Sequence, residues 1–170
     1  MHIRPAVAAD FSSMLPIFQE VLASGSTYVF TADTSEADAR AYWFGPGVAS
    51  YVADDKGQVM GMYKLVANQA GLGRHVANAS FMVAARASGR GIGRQLGLHC
   101  LQQARDAGYL AMQFNFVVST NVVAVKLWQS LGFTIVGTLP QVFRHRELGL
   151  VDAYVMHQFL VPAQASLDTR

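Results

Sequence analysis

Between Ser88 and Arg94 the chain reads S-G-R-G-I-G-R, with glycines 89, 91 and 93 at alternate positions. A glycine inside a helix or strand costs roughly 0.5–1 kcal/mol relative to alanine, so three together mark a junction between elements rather than the middle of one. Upstream, Val76 to Val83 reads as a strand. Downstream, Ile92, Leu96, Cys100 and Ala104 recur every four residues, with Leu101 widening the apolar face and Gly108 closing the helix after about Ala107. Between a strand and a helix, glycine's freedom at positive φ lets successive N–H groups turn inward as a nest. The first helical turn adds unpaired N–H donors and a partial positive charge. Such a junction suits a diphosphate, with Arg90 and Arg94 as charge-assisted partners. A flexible surface loop is the plain alternative.

The other elements set the fold class. His2 to Arg4 opens as a short strand. A helix follows from about Ala9 to Ala23, its face carried by Phe11, Leu15, Phe18 and Leu22, with Pro16 inside it as a kink or a break. Gly25 to Asp33 reads as a loop carrying two aromatics. Ser35-x-x-Asp38 is a capping signal for a helix to Phe44, which Gly45-Pro46-Gly47 ends. Strands at Ala49–Ala53 and Gln58–Val66 flank Asp54-Asp55-Lys56-Gly57, a hairpin turn by composition. Ala70 to Arg74 is a glycine-rich connection into the strand at Val76. After the glycine stretch and its helix come a strand at Tyr109–Val118, a helix at Thr120–Leu131 closed by Gly132, and strands near Phe133–Leu139 and Asp152–Leu160. This order predicts an α+β (mixed α/β) fold: one domain over residues 1–160 with a mostly antiparallel central sheet flanked by helices, and a tail at 161–170.

Composition narrows the function. With 170 residues, 52% of them hydrophobic and 14% charged, the chain can bury a full core. A net charge of +2 argues against nucleic acid as the main partner, although arginines 86, 90, 94 and 105 lie near the glycines. The single cysteine, Cys100, allows no intrachain disulfide and suits a reducing cytoplasm. Met1 to Ala6 carries no secretory pattern, and no apolar run reaches membrane-spanning length. Histidines 2, 75, 99, 145 and 157 show no metal spacing, so no metal is expected. Cys100 reads as core, and Asn78-Ala79-Ser80 as a strand rather than a glycosylation site.

Two familiar phosphate loops fail against these residues. The P-loop lysine and hydroxyl are missing, and Gly89-x-Gly91-x-Gly93 has the wrong last spacing for a dinucleotide fingerprint, with no acidic residue about 20 positions on. The passage from Val83 to Arg94 instead resembles the Q/R-x-x-G-x-G/A loop of the GCN5-related N-acetyltransferases, with Ser88 where arginine or glutamine is usual. A later passage, Asn121-x-x-Ala124-x-x-Leu127-Trp128-x-x-x-Gly132-Phe133, resembles that family's N-x-x-A-x-x-L-Y-x-x-x-G-F motif. The resemblance implies acetyl-CoA as cosubstrate, held by Ser88, Gly89, Arg90, Gly91, Ile92, Gly93 and Arg94, with Asn121 and Trp128 also toward the cofactor. It implies a homodimer through the C-terminal strands as well.

Acetyl transfer to an amine needs a neutral nitrogen, a held thioester carbonyl, donors for the tetrahedral oxygen and departure of the thiolate. Main-chain amides at Met82, Val83 and Ala84 are the expected carbonyl site. Trp128 replaces the tyrosine that commonly assists the thiolate, and indole is no acid at ordinary pH, so the thiolate is expected to leave unaided. Asn78 and Asn115 stand out inside apolar strands, where an unpartnered amide is costly. The passages N-A-S-F-M-V and F-N-F-V-V-S-T-N resemble acetyltransferases that detoxify the proline analogue azetidine-2-carboxylate. By that resemblance Asn78 and Asn115 are catalytic, orienting acceptor and thioester, and Phe81 walls the pocket. Tyr28 and Phe30 are expected to form an acceptor lid. Phe143 to Arg146 reads as a solvated turn. The expected acceptor is a small amine or amino acid. An amino-acid-like herbicide, a polyamine, a protein N-terminus and a non-catalytic acetyl-CoA-binding module stand as alternatives.

Overall fold

The computed structural model describes residues 1–161, so nearly all of the expected tail lies outside the described residues. Seven strands form one sheet: β1 (His2–Pro5), β2 (Ala49–Asp55), β3 (Gln58–Ala67), β4 (Val76–Val83), β5 (Ala111–Val118), β6 (Thr134–His145) and β7 (Gly149–Phe159). Their spatial order is β1-β2-β3-β4-β5-β7-β6, and every neighbouring pair is antiparallel except β4 with β5. This is the α+β class expected from the element order.

The β2–β3 turn has a local cause. Lys56 and Gly57 both take positive φ (55° and 84°), which two-residue hairpins need to match strand twist. The Asp54 carboxylate accepts from Gly57 N–H at 2.7 Å and locks the turn.

Among the described residues four α-helices flank the sheet: α1 (Phe11–Ala23), α2 (Glu36–Phe44), α3 (Ile92–Asp106) and α4 (Val122–Ser130). Ala8–Asp10 is a 3-10 turn leading into α1, which runs unbroken through Pro16. The buried side of α1 is Phe11, Met14, Ile17, Phe18 and Leu22, with Leu15 at its margin. Ser35 caps α2, accepting from Asp38 N–H at 3.1 Å. Neighbouring residues of β3 sort the helices into two layers. Tyr63 reaches His99 of α3, whereas Lys64, on the opposite face, reaches Tyr42 of α2. Hence α1 and α2 cover one face, and α3 and α4 the other.

Strand β6 is longer than its sequence suggests. Register slips between Ile135 and Gly137 and between Leu139 and Phe143 break its alternation, and Gln141 takes φ 53° at the second slip. The expected solvated turn at Phe143–Arg146 is thereby corrected: Phe143 is a buried strand residue, and the turn begins at Arg146.

Candidate active site

Strands β4 and β5 pair only at Val76–Ala111 and Ala77–Met112, then diverge. Between the diverging halves lies a cavity of about 300 Å³. Phe81, Phe114 and Trp128 make its apolar floor, the Trp128 ring lying 4.7 Å from Phe81 and 4.9 Å from Phe114. Asn78 and Ser80 of β4, Asn115 of β5 and Asn121 of α4 supply polar edges, and Tyr28, Phe30 and Tyr42 close the outer side. Among the described residues, no Asp, Glu, His, Lys or Arg lines the cavity.

The structure thus gathers Asn78, Asn115, Tyr28, Phe30, Phe81, Asn121 and Trp128 around one space, and leaves Met82 to Arg94 outside its lining. Asn115 sits differently from its apolar sequence setting. It is exposed, its amide donating to Asn68 at 2.7 Å and accepting from Gln113 at 2.9 Å. Alternation puts Asn78 and Ser80 on one face of β4, beyond the end of strand pairing, so they stay accessible. Asn121 caps α4, accepting from Ala124 N–H at 3.2 Å.

The amides at the end of β4 differ in availability. Even-numbered residues turn their polar groups toward β3, as Ala84 N–H bonding Met60 O at 3.0 Å shows. Odd-numbered residues face the gap, as His75 O accepting from Leu110 N–H shows. The carbonyl site expected at Met82 to Ala84 is therefore narrowed: Ala84 is engaged, Met82 faces β3, and Val83 alone of the three turns toward the gap. Phe81, two residues earlier, also faces it. Its N–H donates to the Tyr28 hydroxyl at 3.0 Å and its carbonyl accepts from that hydroxyl at 2.6 Å.

The three glycines are not equivalent. Gly89 and Gly91 take φ of 74° and 75°, and a Cβ added at either meets nothing within 4 Å. Conformation alone demands glycine there, and the space above the turn is open. The amides of Gly89, Arg90 and Gly91 have no hydrogen-bond partner among the described residues, and Gly91 is the N-cap of α3. Gly93 lies within α3 without a positive φ, and a Cβ there would stand 3.4 Å from Leu127 Cδ2, an ordinary contact, so neither conformation nor packing demands glycine at that position. Of the nearby arginines, Arg90 lies 3.7 Å from Asp55, Arg94 donates to Ser130 Oγ at 3.0 Å, and Arg86 donates to Val59 O at 2.8 Å. Arg86 is thus tied to β3 and does not stand in for the residue that Ser88 replaces. Ser88 is exposed at the turn.

The sequence did not single out Tyr42 or Ser80. Tyr42 donates to Ser80 Oγ at 2.6 Å, and burial pushes its phenol up. Lys64 lies over the Tyr42 ring, 3.2 Å from its centroid, and donates to Tyr42 O at 3.0 Å; burial lowers the Lys64 ammonium to about 8. Ser80 was open to detection, since it follows Asn78 by one strand period. Arg146 frames the site from a distance. Its guanidinium donates to Ala23 O at 2.9 Å and its N–H to Gly25 O at 3.0 Å, fixing the start of the loop that carries Tyr28 and Phe30. Phe30 lies 4.8 Å from Tyr42 and 5.9 Å from Phe18, so it anchors this loop to the core as well as lining the cavity.

A turn of free amides at a helix start, beside a gap between parallel strands, has the geometry to take an anionic group and an extended chain leading from it. Among the described residues no cluster of His, Cys, Asp or Glu could hold a metal, and no helix is long and apolar enough to cross a membrane.

Comparison with known proteins agrees. The acetyltransferase (GNAT) family model matches residues 15–133. N-acetyltransferase aca1 of Schizosaccharomyces pombe is 32% identical over 119 residues, 69% of this chain, a match spanning 56% of the yeast protein. The L-amino acid N-acyltransferase MnaT of Escherichia coli is 30% identical over 147 residues, 84% of each chain. Among solved structures, a GCN5-related N-acetyltransferase from Kribbella flavida shares 45% identity with a TM-score of 0.89, over 93% of this chain and 96% of that one. An acetyltransferase from Salmonella typhimurium, solved with its cofactor acetyl-CoA, shares 25% identity with a TM-score of 0.78, over 95% of each chain. The chain belongs to the acetyltransferase (GNAT) family, whose members are acetyl-CoA-dependent N-acetyltransferases.

Proposed function

We propose that this N-acetyltransferase acetylates the amine of a small molecule or amino acid, toxic proline analogues being one class of candidate, by direct attack on acetyl-CoA. The observation that carries this reading is the cavity itself. Its volume of about 300 Å³, apolar floor and uncharged polar edge fit a compact acceptor. The kinship with an L-amino acid N-acyltransferase and with an L-methionine sulfoximine/L-methionine sulfone acetyltransferase supports the same acceptor class.

In this reading the diphosphate lies on the amides of Gly89 to Gly91 and the first turn of α3, with Arg90, Arg94 and Ser88 at its edge. The pantetheine arm runs along the gap-facing backbone of β4, past Val83. Trp128 packs against the arm, and Asn121 offers the amide N–H that its capping bond leaves free. Asn78 and Asn115 orient the acceptor. With no acidic or basic side chain among the described residues of the lining, the amine enters neutral or loses its proton to water. The rate should therefore rise with pH toward the acceptor's own ammonium pKa. The thiolate is a tolerable leaving group and departs without Trp128.

The edge pair β6–β7 bears exposed Val136, Val142, Leu150 and Phe159, and this surface is proposed to join two copies as a homodimer. The single cysteine suits work in a reducing cytoplasm.

Thiol release from acetyl-CoA across a panel of amino acids, proline analogues, polyamines and peptide N-termini tests the acceptor. Turnover fastest with a compact amino acid or analogue supports the reading. Acetyl-CoA binding without acetylation of any amine would make the chain a cofactor-binding module instead. Wild-type turnover by both Asn78→Ala and Asn115→Ala on a good acceptor would remove those residues from the mechanism.

A further inference from the structure

Tyr28 is placed in a way that packing does not require. Its hydroxyl takes both main-chain groups of Phe81, donating to the carbonyl at 2.6 Å and accepting from the N–H at 3.0 Å. One side-chain oxygen thus does what a neighbouring strand would do, at a point where β5 has already turned away. Along β4 the residues facing the gap are Ala79, Phe81 and Val83. Val83 lies nearer the glycine turn and outside the cavity lining, whereas Phe81 forms part of the cavity floor. A carrier anchored by its diphosphate at Gly89 to Gly91 passes Val83 first. Its thioester reaches the acceptor only by arriving at Phe81, where Tyr28 stands.

We propose that Tyr28 is a catalytic residue whose hydroxyl keeps the place of the thioester oxygen in the free enzyme and, once displaced, donates to that oxygen beside Phe81 N–H. The proposal rests on the acetyl-CoA reading above. The step balances without another reactant. The acceptor nitrogen lone pair forms the C–N bond, and the carbonyl π pair moves onto oxygen, where the two donors meet it. Return of that pair breaks the C–S bond, and the sulfur leaves with the bonding electrons. The proton shed by nitrogen ends on the thiolate or in water. Tyr28 donates a hydrogen bond throughout and keeps its proton. Burial, with Tyr42 adding to it, holds the Tyr28 phenol well above its ordinary value, against the opposing bonds to Phe81 and Ser80, so it is a neutral donor at working pH.

The test uses acetyl-CoA carrying carbon-13 at the thioester carbonyl, bound to wild type and to Tyr28→Phe, which retains the ring. In wild type the bound carbonyl stretch should lie below that of free acetyl-CoA. In Tyr28→Phe it should move back toward the free value, kcat should fall about 10²-fold as for loss of one oxyanion donor, and the dissociation constant for acetyl-CoA should change by less than about threefold. A second readout needs no variant: the Phe81 amide resonance should shift more with acetyl-CoA than with coenzyme A, because only the acetyl carrier replaces its Tyr28 partner. If carbonyl stretch and kcat are the same in both proteins, or the Phe81 resonance responds equally to the two ligands, the Tyr28 assignment is wrong while acetyl-CoA catalysis stands. Failure of wild type to bind acetyl-CoA overturns both.

Discussion

Replacing Gly97 with alanine should loosen the contact between α3 and α4 despite improving helix propensity. Gly97 is buried in α3, and a Cβ there would stand 2.6 Å from Leu131 Cδ1 and 3.2 Å from Trp128 Cζ3. Ordinary carbon contacts lie at about 3.5–4 Å, so something must give by roughly 1 Å. The Leu131 methyl can swing aside. The Trp128 ring cannot, because Phe81 and Phe114 lie against it. Overpacking of this kind costs about 1–3 kcal/mol, and the alanine returns about 1 kcal/mol of helix propensity, leaving a net loss of about 0–2 kcal/mol. A midpoint loss of about 1 kcal/mol lowers Tm by roughly 2–4 °C in a domain of this size. Thermal melting followed by circular dichroism reads this directly. Gly93→Ala is the matched control: its Cβ meets Leu127 Cδ2 at 3.4 Å, an ordinary contact, so it should hold or raise Tm. Since Trp128 also floors the cavity and, in the proposed reading, packs against the pantetheine arm, Gly97→Ala should raise KM for the acceptor and for acetyl-CoA together. A Gly97→Ala protein with a higher Tm than wild type and an unchanged acceptor KM would refute the reasoning.

Gly91→Ala meets no neighbour but must hold φ at 75°, a strain of about 1–2 kcal/mol, so a lower Tm together with weaker acetyl-CoA binding by calorimetry is expected. Lys64, lowered by burial to about 8, binds its proton less readily folded than unfolded; stability should therefore rise with pH between about 8 and 10.5, and Lys64→Met should flatten that rise in melts taken across the window. Cys100 is fully buried, and burial pushes its thiol well up, so Ellman's reagent should find no thiol in the native protein and one per chain in denaturant.

Those parts of the fold that depend on short-range spacing were legible in the sequence. The glycine stretch announced a turn between strand and helix, the four-residue recurrence from Ile92 placed the buried side of α3, and Ser35 announced the start of α2. Contacts that depend on how the sheet opens were not. Asn115 looked buried because its sequence neighbours are apolar, yet the divergence of β5 from β4 leaves it exposed beside Asn68, 47 residues away. Tyr28 could be assigned to a loop near the acceptor, but its bond to the Phe81 main chain joins residues 53 apart, and no local pattern records such a pairing. Register slips hid the second half of β6, and with it the anchoring of Arg146 to Ala23, 123 residues distant. The three glycines looked equivalent in the sequence. Only the folded backbone separates Gly93, which sits within α3, from the two at positive φ that shape the turn.

A crystal structure with acetyl-CoA bound is the most direct measurement. The diphosphate oxygens are expected within hydrogen-bonding distance of the amides of Gly89 to Gly91 and the first turn of α3, with the acetyl group beside Phe81. A diphosphate bound away from that turn, with its amides still facing solvent, would contradict the assignment on which the rest depends.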